Sequence, residues 1–154
     1  DAQTGAQLSI PYDIDVAVLK DLAAYTLGNG EDVYFLFTDP ECPYCQRLEH
    51  KLTSIKKNVT LYVILYPLSF HKNAKSMSRY ILNQQNNESR ASAMKEIANK
   101  DTQYKSAKYS SMELNILNDK IEKSIQESNK IGINATPTIL NAKGVKVSDI
   151  EVRN

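Results

Sequence analysis

Phe37-Thr38-Asp39-Pro40-Glu41-Cys42-Pro43-Tyr44-Cys45 is the stretch whose reading decides the fold, because it places the chain's only two cysteines two residues apart behind an apolar run. That run, Val33-Tyr34-Phe35-Leu36-Phe37, is rich in β-branched and aromatic residues and bounded by Gly30-Glu31-Asp32 and Asp39-Pro40, so it reads as a buried strand. Beyond the cysteines, Leu48, Leu52 and Ile55 recur at helical spacing, with Lys and Arg on the opposite face. The cysteines therefore open a helix. Pro43 suits its first turn, where a missing N–H matters little and φ is already set. Unpaired N–H groups and the helix dipole favour a thiolate at such an N-terminus, which makes Cys42 the candidate nucleophile. Cys45, one turn further in on nearly the same face, lies within disulfide reach and is the candidate resolving thiol.

Other chemistries fit a CxxC less well here. A structural zinc site needs about four ligands, and only His50 and His71 remain to complete a set, without a second CxxC or an HxxxH pair. The expectation is no metal and no cofactor. A purely structural bridge closing so short a loop would constrain the unfolded chain little. Free structural thiols stay open, although they do not require a strand before them and a helix after.

The remaining composition narrows the function classes. A chain of 154 residues with a formal charge of +1 has the size of one domain, and its interspersed charges point to neither nucleic acid nor an anionic membrane surface. The nine tyrosines read as packing residues, because no basic residues interleave with them. No apolar stretch reaches membrane-span length and no signal peptide is visible at Asp1, so for an exported protein the signal is expected to be gone from this numbering. Two cysteines suit a cytosolic reductant or an exported thiol enzyme equally.

Along the chain, residues 1–12 read as an arm or linker, with Leu8, Ile10 and Tyr12 as a possible short strand. Asp13 or Asp15 caps a helix over 14–27 that ends at Gly28-Asn29-Gly30. Residues 59–66 form a second strong strand stopped by Pro67. From 73 to 131 the signal is helical, marked by Ala74, Met77, Ile81 and Leu82, then Ala91, Met94, Ile97 and Ala98, then Leu114, Leu117, Ile121 and Ile125. His71, just before this block, reads as a helix cap, with a place facing the site as the alternative. Strand-type sequence resumes over Ile131–Leu140, and Asn141-Ala142-Lys143-Gly144 turns it into Val145-Lys146-Val147. Pro137 belongs at a strand edge, and by itself an X-Pro bond is trans, cis occurring in about 5–6% of cases.

A strand, CPYC opening a helix, a second strand, a helical insertion and Thr136-Pro137 leading into a hairpin together resemble the catalytic domain of the DsbC/DsbG family of periplasmic disulfide isomerases. The resemblance spans residues 31–147. It implies an α/β thioredoxin-like fold with a helical insertion at about 73–131, between the second strand and the strand that follows a cis proline. It implies a cis Thr136–Pro137 bond packed against the CxxC, and a substrate surface formed by Thr136, Pro137, Pro43 and Tyr44. Residues 1–30 are then an N-terminal arm and linker or supporting helix, and 31–154 the catalytic domain. Residues 149–154 are too short for the helix that normally covers one sheet face, so either the chain is trimmed or another element, such as the helix of 14–27, is expected to cover it.

The activity implied is isomerase or reductase action on protein disulfides in the periplasm, with misoxidised proteins as substrates, a DsbD-like membrane reductant as donor, and a homodimer possible. A DsbA-like dithiol oxidase and a non-catalytic partner-binding module are the alternatives. Tyr44 and Thr136 resemble the isomerase and reductase side. Leu36 stands where thioredoxin has a buried Asp that assists proton transfer, which leaves water or an exposed Glu41 for that step.

Overall fold

The computed structural model describes residues 10–52, 55 and 57–150. Its elements in chain order are α1 (Val16–Leu22), β1 (Tyr25–Gly28), β2 (Asp32–Thr38), α2 (Pro43–Lys51), β3 (Val59–Leu65), α3 (Ala74–Leu82), α4 (Asn87–Ala98), α5 (Ser111–Lys130), β4 (Thr138–Asn141) and β5 (Lys146–Val147), with a 3-10 turn over Gln103–Ser106. The strands form one sheet in the order β1-β3-β2-β4-β5. β2 runs parallel to β3 and antiparallel to β4. The chain therefore leaves β2 and β3, and enters β4, at the same edge of the sheet. Segments 39–42, 66–73 and 134–137 gather there.

The sheet is buried on both faces, which explains the continuous apolar runs of β2 and β3. Tyr34, Leu36, Leu61, Val63 and Leu65 point to a core shared with Leu48 of α2 and its C-cap Leu52, Met77 and Ile81 of α3, and Met94 and Ile97 of α4. The alternate residues Phe35, Phe37 and Ile64 point the other way, against Leu19 of α1, Ile125 of α5 and Ile133. Phe35 and Phe37 are wholly buried, each stabilising the fold by about 1.5–3 kcal/mol. The helical block lies between β3 and β4, as the resemblance implied. α1 covers that second face together with α5.

Three local expectations change. Asp15 caps α1, its Oδ1 accepting from the Val18 N–H at 3.3 Å, but the helix stops at Leu22 instead of Leu27. Ala23 is extended, the Ala24 N–H donates to the Val63 carbonyl at 2.8 Å, and Tyr25–Gly28 pair antiparallel with β3. The apolar residues there satisfy both periods, and the pairing edge of β3 decides in favour of a Tyr-Thr strand. Residues 131–137 form no strand; the Gly132 and Ile133 N–H groups bond back to Asn129 and Ser128 at the end of α5, and pairing begins at Thr138. No strand forms at Ile10 and Tyr12, while Leu8 lies outside the described residues. Tyr12 instead lies against the β4–β5 turn. Its N–H donates to the Gly144 carbonyl at 2.8 Å, and a Cβ on Gly144, at φ +82°, would stand 2.2 Å from the Tyr12 carbonyl oxygen.

Candidate active site

Cys42 follows β2 as the N-cap of α2, in extended conformation, with Pro43 at the first helical position. Its carbonyl accepts the Gln46 N–H at 2.9 Å and its own N–H donates to the Asp39 carbonyl at 3.1 Å, so a tight turn of 39–42 delivers the sulfur to the sheet edge. The Thr136–Pro137 peptide is cis, and the Cys42 thiol donates to the Thr136 carbonyl at 3.8 Å. Residues 94 positions apart in the chain are thus in contact. The structure brings Cys42, Cys45 and the Thr136–Pro137 segment together at this end of the sheet. Pro43 and Tyr44 lie exposed on the helix start, the Tyr44 ring carrying the Arg47 guanidinium 4.5 Å above its centroid.

The two thiols are unbridged and both buried, but their surroundings differ. Cys45 Sγ accepts the Asp39 N–H at 3.4 Å. Burial pushes its thiol up to about 12, against the opposing effect of that N–H and of the Thr38 and Thr136 hydroxyls. The Thr136 hydroxyl is buried without a hydrogen-bond partner of its own. Cys45 therefore keeps its proton at neutral pH and cannot open a disulfide by itself. Cys42, at the free N–H groups of α2, is the thiol placed to do so.

Beneath the cysteines lies a group the sequence did not announce. Asp39 is fully buried; its Oδ1 accepts from the Glu41 N–H at 2.8 Å, and its Oδ2 from the Leu68 N–H at 2.8 Å and from His71 Nδ1 at 2.7 Å. His71 therefore does not cap a helix. Asn73 occupies the N-cap position of α3. Glu41 is half-buried, its carboxylate receiving the Asn73 N–H at 2.7 Å and side-chain amide at 2.9 Å. Gln46 donates to the Pro40 carbonyl at 2.8 Å and accepts from Lys100 Nζ at 2.5 Å. Lys100 adopts a left-handed φ of 71° at the end of α4, a conformation that non-glycine residues rarely take. The turn before Cys42 is thus clamped by the helical block. The Asp-to-i+2 bond within 39–41 was legible as an Asx turn; the partners at 68, 71, 73 and 100 were not.

The tie to the other side of the site runs through Tyr66. Its N–H donates to the Thr38 carbonyl at 2.7 Å, and its hydroxyl bonds to Asn129 and to the Ile133 carbonyl. The thioredoxin-like domain family matches residues 19–151, which includes every strand and the CxxC. The chain belongs to that family.

Curated relatives share a shorter stretch. The probable thiol:disulfide interchange proteins DsbC of Bordetella parapertussis and Bordetella bronchiseptica are each 36% identical over 63 residues, 39% of this chain and 20% of theirs. The match thus spans about a fifth of those relatives' length. Among solved structures, a disulfide interchange protein from Neisseria gonorrhoeae superposes with a TM-score of 0.66 at 24% identity, covering 86% of this chain and 89% of that one. Pseudomonas aeruginosa DsbA2 gives 0.63 at 21% identity over 81% and 84% of the two chains. BdbD from Bacillus subtilis gives 0.64 at 14% identity over 92% and 90%. These likenesses are of the thioredoxin-like fold.

One further ionisable group lies inside this thioredoxin-like domain. Glu49, on α2, is 6% exposed, and burial raises its carboxyl to about 7 against the opposing effects of the Lys95 ammonium and the Tyr25 hydroxyl. That hydroxyl approaches it without reaching hydrogen-bond geometry. The folded chain binds the Glu49 proton more tightly than the unfolded chain, where the ordinary value is 4.5. Stability accordingly falls as pH rises between about 4.5 and 7 and falls no further above, by on the order of 3 kcal/mol. Glu49→Gln is expected to remove this dependence. Urea midpoints at pH 5 and pH 8 check it, and parallel pH curves for the two proteins would refute it.

Among the described residues no three His, Cys, Asp or Glu side chains converge to hold a metal ion, and no helix is long and apolar enough to cross a membrane. His50 is exposed on α2 and His71 is turned onto Asp39.

Proposed function

We propose that this chain is a periplasmic thiol:disulfide oxidoreductase acting on protein disulfides as an isomerase or reductase. The observation that carries the reading is the asymmetric thiol pair, with Cys42 at a helix N-terminus under the Thr136 carbonyl and Cys45 held protonated behind it. In the first step the Cys42 thiolate attacks a substrate disulfide, forming a Cys42–substrate disulfide and expelling one substrate thiolate. In the second, Cys45 attacks Cys42 Sγ as its proton passes to the departing substrate sulfur, forming the Cys42–Cys45 disulfide and releasing the second substrate thiol. The substrate gains two electrons, and a dithiol reductant of DsbD type returns them to the pair. When the expelled substrate thiolate instead attacks another disulfide of the substrate, the thiolate freed there attacks the substrate sulfur of the Cys42–substrate disulfide, closes a new substrate disulfide and releases the Cys42 thiolate; the outcome is isomerisation with no net electron transfer. Thr136 and Pro137, with Pro43 and Tyr44, form the surface on which the substrate segment lies.

Likeness to probable DsbC proteins, together with Tyr44 and Thr136, supports the isomerase or reductase direction. Likeness in fold to DsbA2 and BdbD supports a dithiol oxidase as the second reading. The reduction potential of the Cys42/Cys45 pair, equilibrated against glutathione, decides between them. A potential as oxidising as about −120 mV selects the oxidase, and one nearer −200 mV or below the isomerase or reductase.

A further inference from the structure

Phe70 is 76% exposed, yet it is not loosely placed. Its ring meets His71 edge-on at 4.4 Å between centroids, and His71 Nδ1 is 2.7 Å from the buried Asp39 carboxylate. The loop is bonded to the turn before Cys42 on both sides of Phe70: Leu68 donates to Asp39, and Asn73 to Glu41. Ile10, Val18, Met112 and Ile116 are also exposed, on the N-terminal segment, α1 and α5. Such side chains, scattered singly, are ordinary. Phe70 differs in being fastened to the machinery that holds Cys42.

Its position follows from the topology. β2 lies between β3 and β4, and the chain leaves β2 and β3 at the edge where it enters β4. Cys42 therefore stands between the Thr136–Pro137 segment on one side and the Phe70 loop on the other. Tyr44, 66% exposed, lies on the helix that opens at Cys42. A substrate segment that lies along Thr136 must pass its neighbouring side chains over Cys42 toward this second wall.

We infer that Phe70 is a specificity-determining residue: with Tyr44 it forms the apolar wall of the substrate groove and takes an aliphatic or aromatic side chain next to the reacting cysteine of the substrate. The inference rests on the disulfide-exchange reading above. The loop that carries the ring is tied down on both sides, so its backbone is ordered before binding, and removing an apolar contact of this kind changes discrimination by roughly 10-fold or more.

The test is a within-enzyme ratio. Two cysteinyl peptides are prepared as mixed disulfides with glutathione, one with Leu on both sides of the cysteine and one with Ser. Single-turnover rate constants of the reduced full chain with each are measured by acid quench and chromatography. Wild type is expected to favour the Leu peptide about tenfold, Phe70→Ser to bring the ratio to about two or less, and Phe70→Leu to keep most of it. A ratio unchanged in Phe70→Ser, or near unity in wild type, overturns the inference. A wild-type chain that reacts with neither peptide nor with glutathione disulfide defeats the exchange reading itself, and the inference with it.

Discussion

Cys42→Ser is expected to abolish disulfide turnover, leaving a rate at least about 1,000-fold below wild type, because a hydroxyl is neither ionised at neutral pH nor able to form the covalent intermediate. Cys45→Ser should behave differently. Its Cys42 still attacks, but nothing behind it resolves the product, so a covalent enzyme–substrate disulfide accumulates and is visible on a non-reducing gel. The difference follows from the surroundings of the two sulfurs. Cys45 is held protonated by burial, whereas Cys42 caps the helix and contacts Thr136. Insulin reduction with dithiothreitol as electron source measures the first effect. Full activity of Cys42→Ser, or an adduct trapped on Cys45 instead, would reject the assigned order.

Asp39→Ala is expected to cause the largest loss of stability of any single change near the site. The carboxylate is fully buried and accepts from the Glu41 and Leu68 N–H groups and from His71. Alanine leaves these donors without an acceptor, at about 1–3 kcal/mol for each buried unsatisfied group, so a loss on the order of 4 kcal/mol is anticipated from total stabilities of about 5–15 kcal/mol. Asp39→Asn keeps the shape and one acceptor oxygen, but turns an amide N–H toward a group that itself donates. It should lose roughly half as much. Urea denaturation with an unchanged m-value measures both, and a loss under about 1 kcal/mol for Asp39→Ala would show that the clamp is not what holds these loops.

Most of the scaffold was legible because its signals are local. The β2 run, the CPYC turn, the three amphipathic helices after 73 and the Asn141–Gly144 turn each carry their own periodicity or turn chemistry. β1 was missed because Leu22, Ala23 and Leu27 fit a helix as well as a strand, and only the edge of β3 distinguishes them. The cysteine-bearing half of the candidate site was readable in two pieces, Cys42-Pro43-Tyr44-Cys45 and Thr136-Pro137. The supporting half was not, because Asp39, His71, Asn73 and Lys100 are ordinary polar residues whose partners lie 32 and 54 positions away. Glu49 was hidden for a related reason. A carboxylate among Lys and Arg looks solvated until its helix is rolled against α4 and β1.

The clamp also alters what counts as a transferable part. The nonapeptide from Phe37 to Cys45 looks like a cassette that any strand–helix junction could accept. Here its aspartate would arrive on a foreign scaffold with only the Glu41 N–H as donor, since Leu68 and His71 supply the others from beyond the next strand, and Glu41 would likewise lose Asn73. The smallest unit that could be grafted is three separate lengths of chain, the CxxC turn, the loop after β3 and the Thr136–Pro137 segment, held in register by the three adjacent strands β3, β2 and β4. Chimeras that exchange the motif alone would carry the sulfurs and leave their foundation behind.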